Sequence, residues 1–128
     1  MSSPRISVIL PVYNGSAYLA EAMGSVLNQT FRDFELIVLD DASTDGSASV
    51  AEQFNDPRVR VIRQEANRRL PATLNHGLDL ARGEWVARMD ADDISHPLRF
   101  EKQIRWMERK PEIGICGTWV RLFGGVAS

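Results

Sequence analysis

The sequence predicts an α/β domain with a mainly parallel sheet and flanking helices. Three observations predict it. Short apolar, β-branched runs alternate with amphipathic stretches along the whole chain, the pattern of strands buried on both faces by helices. The connecting stretches are long enough for right-handed crossovers. Polar clusters follow three of the runs directly, and ligands of such sheets bind beyond the carboxyl ends of the strands.

Each element has its own signal. Ile6 to Tyr13 is an unbroken apolar run and reads as a buried strand. From Ser16 to Leu27, Leu19, Ala22, Met23, Val26 and Leu27 recur at helical spacing, with Ser16 as the expected N-cap. Phe34 to Asp40 is a second strand. Ser43-Thr44-Asp45-Gly46 supplies turn and cap chemistry for a short helix to about Phe54, and Asp56-Pro57 breaks it. Val59 to Ile62 is a third, short strand, expected at an edge. Pro71 suits the first turn of a helix carrying Leu74, Leu78 and Ala81, with Gly83 as its expected stop. Trp85 to Met89 is a fourth strand. Pro97 opens a helix through Phe100, Ile104 and Met107, ended by Lys110-Pro111, and Ile113 to Phe123 is a fifth strand. That strand is followed by no closing helix, so residues 1–128 are read as part of a longer protein.

Composition narrows the class. With 128 residues and 44% hydrophobic content the chain suits one domain with a real core. A net charge of −2 with mixed signs excludes a nucleic-acid surface. The single cysteine, Cys116, excludes a disulfide framework and reads as a buried structural thiol. No apolar stretch approaches the roughly 18 residues that span a bilayer, and no signal peptide is visible.

The chemistry is concentrated in carboxylates. Asp90-Ala91-Asp92-Asp93 places three of them within four positions. Carboxylates so close repel unless a cation sits among them, and Mg²⁺ takes oxygen ligands together with substrate phosphate. Asp92 is the best candidate for direct metal contact. Asp90 suits a ribose hydroxyl or metal through water, and Asp93 an orienting or capping role. Alternation around the turn is expected to keep the three from pointing one way, and an Asx-turn cluster without metal is the plainer reading. Asp40-Asp41 ends the second strand: Asp40 suits structural support, while Asp41 is placed to accept a ring N–H from a uracil edge. Tyr13 can lie against a base or close the core edge. Arg68 and Arg69 suit phosphate or ribose, or simply solvent. Arg99 and Lys102 are expected to make ordinary helix-surface pairs with Glu101 or other neighbours. His96 reads as a solvated loop residue, His76 as packing or surface, and Glu108-Arg109-Lys110 as a solvated helix end.

Four segments in order then resemble one family: Val8 to Asn14, Ser25 to Phe31, Asp40 to Ser47, and Ala87 to Ile94. They resemble family 2 glycosyltransferases of the Rossmann-like GT-A fold, over about residues 5 to 120. The resemblance implies an inverting transferase that takes a nucleotide-diphosphate sugar, usually UDP-linked, with Mg²⁺ or Mn²⁺. It implies that Pro11, Val12, Tyr13 and Asn14 line the nucleotide pocket and that Asp41 reads uracil. It assigns Asn67, Arg68 and Asn75 to the nucleotide's border, Asp90 to ribose and metal, and Asp92 to the metal. Where the family shows Asn-x-Gly-Leu, this chain has Asn67-Arg68-Arg69-Leu70, so the local backbone is in question. The family's catalytic base is an acid well beyond the Asp-x-Asp motif, so no residue here is carried over as that base. Residues 1–128 are then the nucleotide-sugar-binding part, with the acceptor half absent, expected to bind nucleotide weakly and to transfer nothing alone. The implied acceptor is a glycan or lipid-linked hydroxyl in polysaccharide or cell-envelope synthesis, in the cytoplasm near the inner membrane.

Other classes fit less well. A Mg-dependent receiver domain carries its acid pair after strand one, where this chain has Tyr13-Asn14, and needs a lysine beyond Lys110. A dinucleotide-binding domain needs Gly-x-Gly-x-x-Gly, which Asn14-Gly15-Ser16-Ala17 does not supply. An inactive transferase-like binding module differs only in lacking the base.

Overall fold

The computed structural model describes residues 3–109. Four strands form one parallel sheet: β1 (Ile6–Val12), β2 (Phe34–Asp40), β3 (Val59–Arg63) and β4 (Trp85–Arg88). Four helices alternate with them: α1 (Ser16–Leu27), α2 (Ser47–Glu52), α3 (Arg69–Leu80) and α4 (Arg99–Arg109). The expected fifth strand and Cys116 lie outside the described residues, as does the Lys110-Pro111 helix stop.

The sheet order is β3-β2-β1-β4. The chain steps from β1 to β2 to β3 in one direction, then returns to place β4 on the other side of β1. That reversal opens a crevice at the carboxyl end of β1, where ligands of open parallel sheets bind.

Alternate residues of each strand feed two cores. Ile6, Val8, Leu10 and Val12 of β1, with Leu36 and Val38 of β2, pack under Leu19, Met23 and Val26 of α1 and Phe100 and Ile104 of α4. Phe34 meets Phe100 edge-on, with ring centroids 5.6 Å apart. Ile9, Ile37 and Leu39 point to the opposite face, against Leu74 and Leu80 of α3. The fully buried strand faces explain why the runs read as unbroken apolar stretches.

Three sequence expectations need correction. Ser16 is the first helical residue of α1 rather than its cap. The orphan N–H groups there are met by the segment after β2: Gly15 donates to Ser47 Oγ (3.1 Å) and Ser16 to Asp45 Oδ2 (3.0 Å). Asp45 therefore supplies the cap that Ser16 was expected to give itself. Helix α3 ends at Leu80, with Ala81 already extended, so Gly83 is not its stop. A Cβ on Gly83 would lie 2.6 Å from the Ser7 backbone nitrogen: the glycine is there because two backbones cross closely. Leu78 is exposed, and α3 instead buries Thr73 and Gly77 toward the sheet. At Gly77 the helix approaches so closely that a Cβ would lie 2.6 Å from Ile9 Cγ2.

Candidate functional site

The site is built from four strand ends and the loops after them. Strand β1 ends at Val12, and the next residues leave the sheet. Asn14 adopts a left-handed conformation (φ 52°), which asparagine tolerates better than most residues. Its side chain then clamps the loop after β2: Asn14 Oδ1 accepts from the Thr44 N–H (2.8 Å), while the Asn14 N–H donates to Ser43 Oγ (2.9 Å). Asp45 accepts from Ser47 and from the Ser16 N–H, and these bonds hold its carboxyl down at about 2 from an ordinary 3.8. The ends of β1 and β2 are thus tied into one rigid rim. Pro11 and Val12 are buried in β1. They set the height of that rim, and Tyr13, 55% exposed, is the residue that faces outward from it.

Beyond β2 lies a cleft of ≈ 480 Å³ lined by Tyr13, Asp41, Asn67, Arg69 and Leu70. Asp41 is buried at its floor. Its Oδ1 accepts from Gln64 Nε2 (2.7 Å) and the Arg68 N–H (2.6 Å), and its Oδ2 from the Arg69 N–H (2.9 Å). A carboxylate offers about four acceptor positions, so Oδ2 keeps room for a further N–H. Gln64 is itself held by Thr73 Oγ1 (3.0 Å) and by His76 Nδ1 (3.0 Å). His76 therefore has a definite role behind the floor, which a reading of packing or surface did not identify.

The backbone question at Arg69 has a clear outcome. Arg69 keeps the left-handed conformation that glycine favours, at φ 68°. A non-glycine residue there costs about 1–3 kcal/mol. The Arg69 N–H is fixed by Asp41 Oδ2 and by Asn67 Oδ1 (3.0 Å), which holds the strained residue in place. Arg69 lines the cleft, and Arg68 borders it, touching Asp41 through its backbone N–H. Asn75 is exposed on α3 and does not line the cleft. Asp40 is buried and faces the Arg63 charge, consistent with structural support.

The second cluster follows β4. Carboxylate oxygens of Asp90, Asp92 and Asp93 all lie within 4.8 Å of one another, so the expectation that they diverge is wrong. The reason is a tight turn. The Asp93 N–H returns to the Asp90 carbonyl (3.1 Å), and the Asp90 N–H donates to Asp93 Oδ2 (3.4 Å), which folds both ends of the turn onto one side. Burial pushes the Asp93 carboxyl above its ordinary 3.8, and the charges of Asp90 and Asp92 push it the same way. Three carboxylates this close form a set of hard oxygen donors suited to a divalent cation. Arg88 balances part of the charge through Asp90 (3.2 Å).

Arg99 does not pair with Glu101 as expected. It folds back beneath the acidic turn, donating to Ser95 Oγ and the Arg88 carbonyl (3.1 Å each), with its guanidinium 5.4 Å from the Phe100 ring centroid. Burial lowers its pKa, and Asp93 opposes that shift. Glu101 instead pairs with Arg105. His96 sits in an exposed loop, its Nδ1 accepting from the Leu98 N–H (3.1 Å). Gln29 is fully buried and was not singled out from sequence. It donates to the His96 carbonyl (2.7 Å) and accepts from the Phe100 N–H (3.0 Å), fixing the approach to α4.

The two clusters lie at the same end of the sheet, the acidic turn after β4 and the cleft after β2, with Tyr13 after β1 between them. Known proteins with this arrangement decide the family. The model for glycosyl transferase family 2 matches residues 7–127. The chain belongs to that family. It is 42% identical over 125 residues to EpsE of Bacillus subtilis (strain 168), a provisionally named glycosyltransferase, covering 95% of this chain and 45% of EpsE. Among solved structures it resembles S. aureus TarS 1-349 in complex with UDP, with a TM-score of 0.79 and 27% identity over 94% of this chain and 40% of that one. It also resembles the mannosyltransferase PcManGT from Pyrobaculum calidifontis in complex with GDP-Man and Mn²⁺, with a TM-score of 0.75 and 29% identity over 84% of this chain and 33% of that one. The fold is therefore that of the GT-A glycosyltransferases, and the chain spans less than half the length of these relatives. Among the described residues no helix is long and apolar enough to cross a membrane.

Proposed function

We propose that residues 1–128 form the donor-binding part of an inverting glycosyltransferase that moves a sugar from a nucleotide diphosphate, a UDP-sugar, to an acceptor hydroxyl. The observation that carries this is the pairing of two unlike sites at one end of the sheet. One is a flat-walled cleft with a carboxylate floor; the other is a compact set of carboxylates with room for a cation. A base in the first and a diphosphate at the second would be joined by ribose across the end of β1.

In this reading the base lies against Tyr13 and donates its ring N–H to Asp41, held by Asn67 and the Arg68 and Arg69 backbone. Asp90 serves ribose and, with Asp92, the metal; Asp93 and Arg99 hold the turn in shape. A bound Mg²⁺ or Mn²⁺ would neutralise the departing diphosphate. Asp90 and Asp92 would hold that cation beyond β4 while the Asp41 cleft holds the base, so the donor would be fixed at both ends. The attacking hydroxyl needs a general base, and we assign that base to the part of the relatives' length that this chain does not span. UDP in a complex of TarS, and GDP-Man with Mn²⁺ in one of PcManGT, support the donor class and the cation. A glycan or lipid-linked acceptor in cell-envelope polysaccharide synthesis follows from the family resemblance, with the enzyme peripheral to the membrane.

Calorimetric titration with UDP, GDP and dTDP, with and without Mn²⁺, tests this on the chain and on Asp92→Ala. UDP is expected to bind best, to need Mn²⁺, and to lose that dependence in Asp92→Ala. UDP binding that ignores both the cation and the substitution would refute the metal assignment.

A further inference from the structure

We infer that Arg69 is a specificity-determining contact, its guanidinium donating to a ring carbonyl of the bound base. The inference rests on the base-cleft reading above and deepens it. Four observations converge on this side chain. Arg69 is held at φ 68°, a conformation in which any side chain is strained and glycine is not. A strained residue persists when its surroundings over-determine it, and such residues cluster at ligand sites. Here Asp41 and Asn67 do so, by fixing its N–H. Arg69 is exposed and lines the cleft with Tyr13, Asp41, Asn67 and Leu70. No ion pair among the described residues engages its guanidinium, a state it shares with Arg32, Arg68, Arg99 and Arg109, whereas Arg5, Arg58, Arg60, Arg63, Arg82, Arg88 and Arg105 pair with carboxylates; of the five arginines without an ion pair Arg69 is the one that lines the cleft.

Position decides which part of a nucleotide it meets. Arg69 touches Asp41, at the end of β2, while the acidic turn follows β4, with β1 between them. The base half of the ligand is therefore within its reach, and the diphosphate belongs to the other cluster. Chemistry then decides which bases fit. Asp41 is an acceptor that calls for a ring N–H, and a guanidinium is donor-only. Side by side they match an edge with adjacent N–H and C=O groups, as in uracil. With Arg69 on the C4 carbonyl, cytosine in that same pose would turn a ring nitrogen acceptor toward Asp41 and an amino group toward Arg69, so both contacts would be lost.

The test is titration of the chain with UDP, CDP and uridine at fixed Mn²⁺, for the native sequence, Arg69→Gly and Arg69→Asn, alongside thermal unfolding of each. Glycine relieves the backbone strain and asparagine tolerates it, so both variants fold. The expected result has opposite signs: Arg69→Gly melts at a higher temperature yet binds UDP about 10-fold more weakly, the size of a lost hydrogen bond from a charged donor. Uridine weakens by the same factor, and the preference for UDP over CDP shrinks. Unchanged UDP affinity in both variants would overturn the inference. So would a loss confined to UDP with uridine unaffected, which would move the contact to phosphate. Failure of the native chain to bind UDP at all would instead overturn the base-cleft reading itself, and the inference with it.

Discussion

At the scale of single residues, carboxylates do three different jobs in this chain, and their partners tell them apart. Asp41 is saturated on one oxygen and half-free on the other. Asp93 is repelled by its neighbours. Glu35 is structural. It lies buried beneath the sheet's other end, where Ser7 Oγ (2.6 Å), the Arg82 N–H (2.8 Å) and the guanidinium groups of Arg60 and Arg82 (3.1 Å each) all donate to it. Burial alone would raise its pKa, but these donors outweigh burial and hold the carboxyl below its ordinary 4.5. Because the folded value is the lower one, the stabilisation is fully present above pH 4.5 and is lost as pH falls through the folded value. Glu35→Gln should therefore lower stability at neutral pH by about 1.5–3 kcal/mol, the range for hydrogen bonds to charged groups. Its unfolding temperature should also fall less steeply with acid. Equal acid sensitivity in the variant and the native chain would show that Glu35 is not the group responsible.

Elements show what sequence periodicity can and cannot carry. The four described strands and four helices fall where β-branched runs and helical spacing put them; β1 and β2 are the clearest, because burial on both faces leaves little choice of residue. Helix ends were less legible. The cap of α1 comes from Asp45, distant in sequence, and no local pattern around Ser16 announces that. Gly83 had the sequence look of a helix stop, yet its reason is the crossing with β1, where its N–H also donates to Ser7 Oγ (2.7 Å). Gly83→Ala tests the distinction. A helix-stop glycine outside the left-handed region would accept alanine at little cost. Here the added methyl would press on backbone atoms of Ile6 and Ser7, which cannot swing aside. An overpacking loss of about 1–3 kcal/mol is expected, read as a drop in unfolding midpoint; a neutral result would contradict the crossing argument.

For the molecule as a whole, the sheet order turns scattered motifs into one surface. Sequence placed Tyr13-Asn14, Asp40-Asp41 and the acidic quartet at strand ends. The β3-β2-β1-β4 order puts them side by side, with the Asp41 cleft on one flank of β1 and the acidic turn on the other. What sequence left open was supplied by contacts between distant segments. Gln64 and His76 brace Asp41 from behind, and Arg99 braces the acidic turn from below. The Gln64–His76 bond spans 12 residues and the bond from Arg99 to the Arg88 carbonyl spans 11, so His76 and Arg99 had the look of ordinary surface chemistry until the fold brought these partners in. The convergence of Asp90, Asp92 and Asp93 was hidden for a related reason: it depends on a turn closed by backbone hydrogen bonds rather than on side-chain alternation.

The acidic turn is proposed to hold a divalent cation against a nucleotide's diphosphate. Water-proton relaxation in Mn²⁺ solutions tests it directly, because the ion relaxes water more strongly when it tumbles with a protein than when it is bound to free nucleotide. A strong enhancement is expected when the chain and UDP are present together, and its loss in Asp92→Ala. Enhancement of equal size in Asp92→Ala would contradict it.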